Sequence, residues 1–298
     1  MMPAVRVRPS DVDRILEEVR AVGVEWRGTR FEIYRNELIA HATPTPEFVA
    51  SFRSDERRQR LTFEAGAQIM QLLMAERVWN LLDSRRLKAT LRKIFDSGPA
   101  VDAPVDDRPR NTLLELVAAA LLSGRFSVQL TAEKEDVRLH HPVLGRGAVE
   151  CKRPLHAGTL RSNLDHIADQ LRNRARDGST YGVAVIGGDR IAQMAGQGFE
   201  GESAVDAYAG VGDRALAIAK VLDSISKDQT CSIASVAARA LVVVTGAVLV
   251  RRPRPILQPV ASVIELPLGD ATPTELQHAF EANRNSALSD VVVVHQRR

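Results

Sequence analysis

Seven residues, Ala148-Val149-Glu150-Cys151-Lys152-Arg153-Pro154 (AVECKRP), decide how this chain is read. They spell a short strand, and side chains at i and i+2 of a strand point to the same face. Glu150 and Lys152 therefore project together, while Val149 and Cys151 point the other way, into apolar packing. A carboxylate and an ammonium side by side on a sheet surface can hold a divalent metal and an attacking water. An exposed ion pair on an edge strand has the same spelling and contributes little. The small residues Gly145, Gly147 and Ala148 ahead of it, and the apolar alternation within it, favour a strand with one packed face.

Working outward, two acidic residues stand upstream. Glu115 lies in NTLLELVAAALL, a helix apolar around much of its circumference, where an ionised carboxylate is costly unless it is paired or bound to a cation. Its other reading is a place on the one exposed stripe, near enough to the helix start to suit the dipole. Asp136 lies in AEKEDVRLHHP, entering a strand; it is equally a solvated turn residue beside Glu133, Lys134 and Glu135. A slip of one register would turn Glu135 inward instead.

The elements around these residues follow from periodicity and punctuation. Asn111 caps a helix to about Ser123, stopped by Gly124. Strands are predicted over Phe126–Leu130, Asp136–Leu139 and Ala148–Lys152, then a helix with Leu160, Leu164, Ile167, Ala168 and Leu171 on one face, then the strand Tyr181–Ile186. Beyond it come a helix over Ser203–Ser224, strands over Leu241–Val250 and Ala261–Leu266, a helix over Pro273–Ala282 and a strand over Val291–His295. Toward the N-terminus, Ser10 caps a helix from Asp11 to about Val22, Glu25–Ile39 reads as a small hairpin, and Pro46–Asp96 is helical. The stretch 97–110 (SGPAVDAPVDDRPR) holds three prolines and a glycine and reads as a linker. The expected organisation is a mainly helical N-terminal domain over 1–100, a linker over 101–110 and an α/β domain over 111–298.

Composition bounds the rest. At 298 residues, 45% hydrophobic and 26% charged, the chain is of ordinary globular make-up, and with 4% aromatics its core rests on Leu, Val, Ile and Ala. A formal charge of +3 permits nucleic-acid binding without requiring it. Only six of the 40 basic residues are lysines, which singles out Lys152, because a site can deprotonate Lys but not Arg. Two cysteines exclude a disulfide framework and a Cys-rich zinc site. The start, MMPAVRVRPSDVDR, has no apolar core of a signal peptide, and the longest apolar run, Ala240–Val250, is too short to span a bilayer. The expectation is a cytoplasmic protein with no membrane partner.

The succession of a helix glutamate, a strand, an aspartate-bearing strand, a Glu-x-Lys strand, a helix and a strand resembles the PD-(D/E)XK nuclease superfamily over roughly Asn111–Ile186. The resemblance implies a restriction-endonuclease-like fold, a mixed central sheet flanked by helices. It implies that Asp136 and Glu150 bind metal, that Lys152 orients or activates the water, that the backbone carbonyl of Cys151 is a further ligand, and that Glu115 completes the acidic site. Gln170, in ADQLR, sits where several members place a polar active-site residue. The residue before Asp136 is Glu135 rather than the proline of the family's name. The implied activity is Mg²⁺-dependent hydrolysis of phosphodiester bonds in DNA, with Mn²⁺ able to substitute and RNA an alternative substrate. The competing expectation is the same fold without activity, serving as a nucleic-acid-binding or assembly module. Residues 1–100 are free to bind DNA, a partner or a second copy, so a homo-oligomer is allowed.

The phosphate chemistry has its own logic. A carboxylate cluster repels a phosphodiester and needs a hard divalent cation between them. Other motifs are weaker. His140-His141 reads as a solvated turn, and VIGGDR (185–190) and AGVGDR (209–214) spell neither GxGxxG nor a P-loop. Basic clusters at Arg57, Arg58 and Arg60, at Arg85, Arg86 and Lys88, at Arg172, Arg174 and Arg176, and at Arg251, Arg252 and Arg254 can track a phosphate backbone or simply face solvent.

Overall fold

In the computed structural model, residues 7–96, 108–124, 126–130, 136–194, 199–228, 230–251, 255–268, 278 and 293–296 are described. The architecture is mixed α/β. Five helices come first: α1 (Pro9–Ala21), α2 (Arg30–Ala40), α3 (Pro46–Ser54), α4 (Glu56–Ala75) and α5 (Ser84–Phe95). Then follow α6 (Arg108–Leu122), β1 (Ser127–Leu130), β2 (Val137–His141), β3 (Gly145–Lys152), α7 (Leu160–Arg176) and β4 (Tyr181–Gly187). The chain continues through α8 (Asp189–Met194), β5 (Phe199–Gly201), α9 (Ala204–Ser226), β6 (Arg239–Val250), β7 (Ile256–Pro267) and β8 (Val293–Gln296).

The strands form one sheet in the order β1-β2-β3-β4-β6-β7-β8, with β5 beside the end of β6. β1, β2 and β3 are antiparallel neighbours, whereas β3, β4 and β6 run parallel. β4 and β6 are buried at every position, as parallel strands covered on both faces must be, and this is why YGVAVI and LVVVTGAVLV read as unbroken apolar runs. Helices cover both faces. Val149, Cys151, Val183 and Val185 share a core with α1, α2, α4, α5 and α6. Ala148, Ala184, Ile186 and Val242 share the opposite core with α7 and α9.

The N-terminal helices thus do not stand apart from the sheet: their apolar faces are continuous with its core. α4 reaches β6 most closely, where a Cβ on Gly66 would lie 2.6 Å from the Gly246 carbonyl oxygen. Gln71 there donates to Thr245 Oγ1 at 2.8 Å.

Several expectations are corrected. Residues 30–40 form α2 rather than part of a hairpin, because the Thr29 hydroxyl accepts from the Phe31 N–H and caps the helix. Phe31, Tyr34 and Leu38 then fall on one buried stripe. Residues 108–110, expected in the linker, open α6. Pro109 is tolerated in a first turn, and buried Arg110 is drawn onto Glu64 of α4. Most of the linker, 97–107, lies outside the described residues, as do Glu135, Arg252, Arg254 and all of the expected helix 273–282 except His278. β7 begins five residues before the expected Ala261. His140 and His141 close β2 opposite Arg146 and Gly145 instead of forming a loop. His141 Nδ1 accepts from the N–H groups of Val143 and Leu144, both at 3.3 Å.

Candidate active site

β2 and β3 pair only from Val137↔Val149 to His141↔Gly145. The last three residues of β3, Glu150, Cys151 and Lys152, keep β4 on one side, opposite Ala184, Val185 and Ile186. On the other side β2 has ended, and a main-chain N–H left there needs a partner. The Asp136 side chain supplies it: its Oδ2 accepts from Cys151 N at 2.6 Å. Continued by one step, the register sets Asp136 across from Glu150, so the two acids meet because the ladder stops.

Alternation along β3 decides the faces. Val149 and Cys151 belong to the α6 side and Ala148 to the α7 side. Glu150 and Lys152 share the parity of Ala148, and Glu150 does turn toward α7, where Arg174 Nε donates to its Oε1 at 3.0 Å. Glu150 has no exposed surface, and among the described residues its Oε2 accepts no hydrogen bond. Lys152 is partly buried at the mouth. Gln170 lies one turn before Arg174 on the same stripe of α7, and its Oε1 is buried without a partner.

Glu115 reaches the site from the other face. It lines a pocket of about 160 Å³ with Asp136, Thr112, Lys93 and Arg86. Asp136 is the link, since it belongs to this pocket and also stands opposite Glu150. Cys151 is buried core, and burial together with the nearby carboxyls raises its thiol well above its usual range. It stays a neutral thiol and is no nucleophile.

The carboxyls are held against their ionised forms. Burial first, and the charge of Asp136 next, push Glu115 up to about 8, against the pull of Lys93 and Lys152. Burial and then Asp136 push Glu150 up to about 7, opposed by Arg174 and Lys152. Burial also raises Asp136, opposed first by the Cys151 N–H and then by Lys152 and Arg174. Three acids that resist ionising together are what a cation between them would relieve.

The donor set suits a hard divalent ion: carboxylate oxygens and a main-chain carbonyl, with no neutral imidazole or thiolate. Glu150 Oε2 is a buried acceptor with capacity to spare. Among the described residues no three His, Cys, Asp or Glu side chains stand close enough together to hold an ion. Glu115 approaches from the opposite face to Glu150, and Glu150 is turned to Arg174. The donors fit in kind, and gathering them requires Glu150 to swing away from Arg174.

Of the five side chains expected from the sequence, Glu150 and Lys152 lie on β3, Asp136 just before β2, Glu115 on α6 and Gln170 on α7. Gln170 makes no hydrogen bond to the acids among the described residues. Sequence reasoning missed Arg174, Arg86 and Lys93 as site residues. Arg174 and Arg86 were visible only as parts of basic clusters and Lys93 only as one basic residue of a helical stretch, and the one local signal was the spacing of Gln170 and Arg174 on one helical stripe. No helix among the described residues is long and apolar enough to cross a membrane. The chain matches no protein-family model, no curated protein and no solved structure.

Proposed function

We propose that this protein is a Mg²⁺-dependent nuclease of the restriction-endonuclease-like kind, hydrolysing phosphodiester bonds in nucleic acid. DNA is taken over RNA on the resemblance alone. The observation that carries the reading is the uncovered end of β3, where Asp136 takes the Cys151 N–H across from Glu150 and shares a pocket with Glu115.

Asp136, Glu150 and the carbonyl of Cys151 would hold the ion, with Glu115 at its outer side. Bound Mg²⁺ polarises a phosphoryl oxygen and lowers the pKa of a coordinated water. The chain's own groups do the rest. The Cys151 N–H fixes one oxygen of Asp136. Arg174 pairs with Oε1 of Glu150 in the metal-free site, and Glu150 would swing away from it to join the ion. Lys152, on the same strand face as Glu150, places a positive charge beside the attacking water and the phosphate. Glu115 and Glu150 give up the protons that burial favours, so loading the site releases protons near neutral pH.

The pair of Arg174 and Glu150 favours one second reading. A partly buried arginine that neutralises the central carboxylate replaces the charge of a metal, as in a nucleic-acid-binding module of this fold without catalysis. The two are separated by incubating supercoiled plasmid, labelled single-stranded DNA and RNA with purified protein and Mg²⁺, Mn²⁺ or EDTA. Metal-dependent cutting that Lys152→Ala abolishes supports the nuclease. Absence of cutting, with Mn²⁺ bound no better than by the Asp136→Ala, Glu150→Ala double variant, supports the module.

A further inference from the structure

The pocket that Glu115 and Asp136 share has a second wall of opposite charge, supplied from far away in sequence. α5 lays Arg86 and Lys93 along it, with Ala89 and Thr90 between them. Seven residues apart, the two cations lie two turns from each other on one face, about 10 Å along the axis. The inward face of α5 is apolar, with Leu91, Ile94 and Phe95 buried, so the helix cannot roll to take the cations elsewhere. Both are exposed, and among the described residues neither side chain is hydrogen-bonded or ion-paired. Small residues between two long basic side chains leave a trough rather than a closed cage. Positive charge strung along a line suits a strand backbone, whose charge is also strung along a line.

We propose that Arg86 and Lys93 hold the sugar-phosphate backbone of the nucleic-acid substrate beside the cleavage point, so that α5 forms one wall of the active site. This rests on the nuclease reading and names the part of the chain that grips its substrate. A phosphate in the pocket meets Arg86 and Lys93 directly, the arginine through two parallel N–H groups. It meets Glu115 and Asp136 only through a cation. The same pocket thus sorts one phosphate toward α5 and the next toward the acids.

The test is binding of a short labelled DNA strand and its duplex, followed by fluorescence anisotropy in EDTA over a range of salt. The wild type is compared with Arg86→Ala, Lys93→Ala and with Lys220→Ala, Lys227→Ala, which removes equal charge from α9 and its C-terminal cap on the opposite face of the sheet. The α5 variant should bind about tenfold or more weakly, with a salt slope shallower by about 1.4–1.8 for two lost phosphate contacts. The α9 variant should match the wild type, and Arg86→Lys, Lys93→Arg should recover most of the binding. In cleavage assays the α5 variant should show a raised KM more than a lowered kcat. Equal loss in both alanine variants, or loss in neither, overturns the proposal. Metal-dependent cutting with unaltered binding and KM in the α5 variant removes this proposal and leaves the nuclease standing. No cutting, with binding lost only in the α5 variant, keeps the trough and removes the catalysis. A wild type that neither binds nor cuts removes both.

Discussion

Replacing Glu115 with glutamine should flatten the loss of stability that the metal-free protein suffers as pH rises. Glu115 moves from an ordinary 4.5 to about 8 on folding, through burial first and Asp136 second. Between those values the native state keeps a proton that the unfolded chain has released. The slope of unfolding free energy with pH is therefore negative. The contribution is complete below about 4.5 and is lost as pH climbs through about 8. One such proton is worth about 1.4 kcal/mol per pH unit. From about pH 5.5 to 7.5 that amounts to roughly 2.7 kcal/mol at most, and to about 1–3 kcal/mol once partial solvent access and relaxation of the neighbours are allowed for. Asp136 and Glu150 are raised as well, so a residual slope survives in the variant. Lys93 and Lys152 act in the opposite direction on Glu115. Urea unfolding in EDTA across this range, wild type against Glu115→Gln, should show the variant gaining on the wild type as pH rises. Parallel curves would refute the claim that Glu115 is partly buried among like charges. Adding Mg²⁺ should stabilise the wild type more at the upper end of the range than at the lower, because a ligating carboxylate must be deprotonated.

Two further perturbations probe the frame around the site. Arg174→Ala leaves Glu150 buried beside Asp136 without its ion-pair partner and should destabilise by about 3–5 kcal/mol at pH 8. The loss should shrink near pH 6, where Glu150, at about 7, takes up a proton; an equal loss at both pH values in urea titrations counts against the pair. Gly66→Ala puts a Cβ 2.5 Å from that of Ala247 and 2.6 Å from the Gly246 oxygen, so α4 must lift off β6. It should lose about 1–3 kcal/mol despite alanine's advantage of about 1 kcal/mol in a helix, and a stabilised variant would show that the helix does not rest there.

The sequence by itself determined what consecutive residues dictate. The period of two in AVECKRP put Glu150 and Lys152 on one face, the unbroken apolar runs marked β4 and β6 as strands covered on both faces, and the spacing of Leu160, Leu164, Ile167 and Leu171 marked α7. Where local signals competed, they misled: the aromatic residues of 25–39 suggested alternation, and the cap that makes residues 30–40 helical was a single threonine at position 29. Only the tertiary structure decided where β2 stops against β3, and hence that Asp136 takes the Cys151 N–H. It alone brought Arg174 onto Glu150 and set Arg86 and Lys93 in one pocket with Glu115. It also joined the apolar faces of α1, α2, α4 and α5 to one face of the sheet's core. The physical reason is the range of the interaction. Strand alternation, helical periodicity and capping are set by bonds and sterics among near neighbours. The pairing of a buried charge is set by whatever the packing of distant segments leaves within a few ångströms of it.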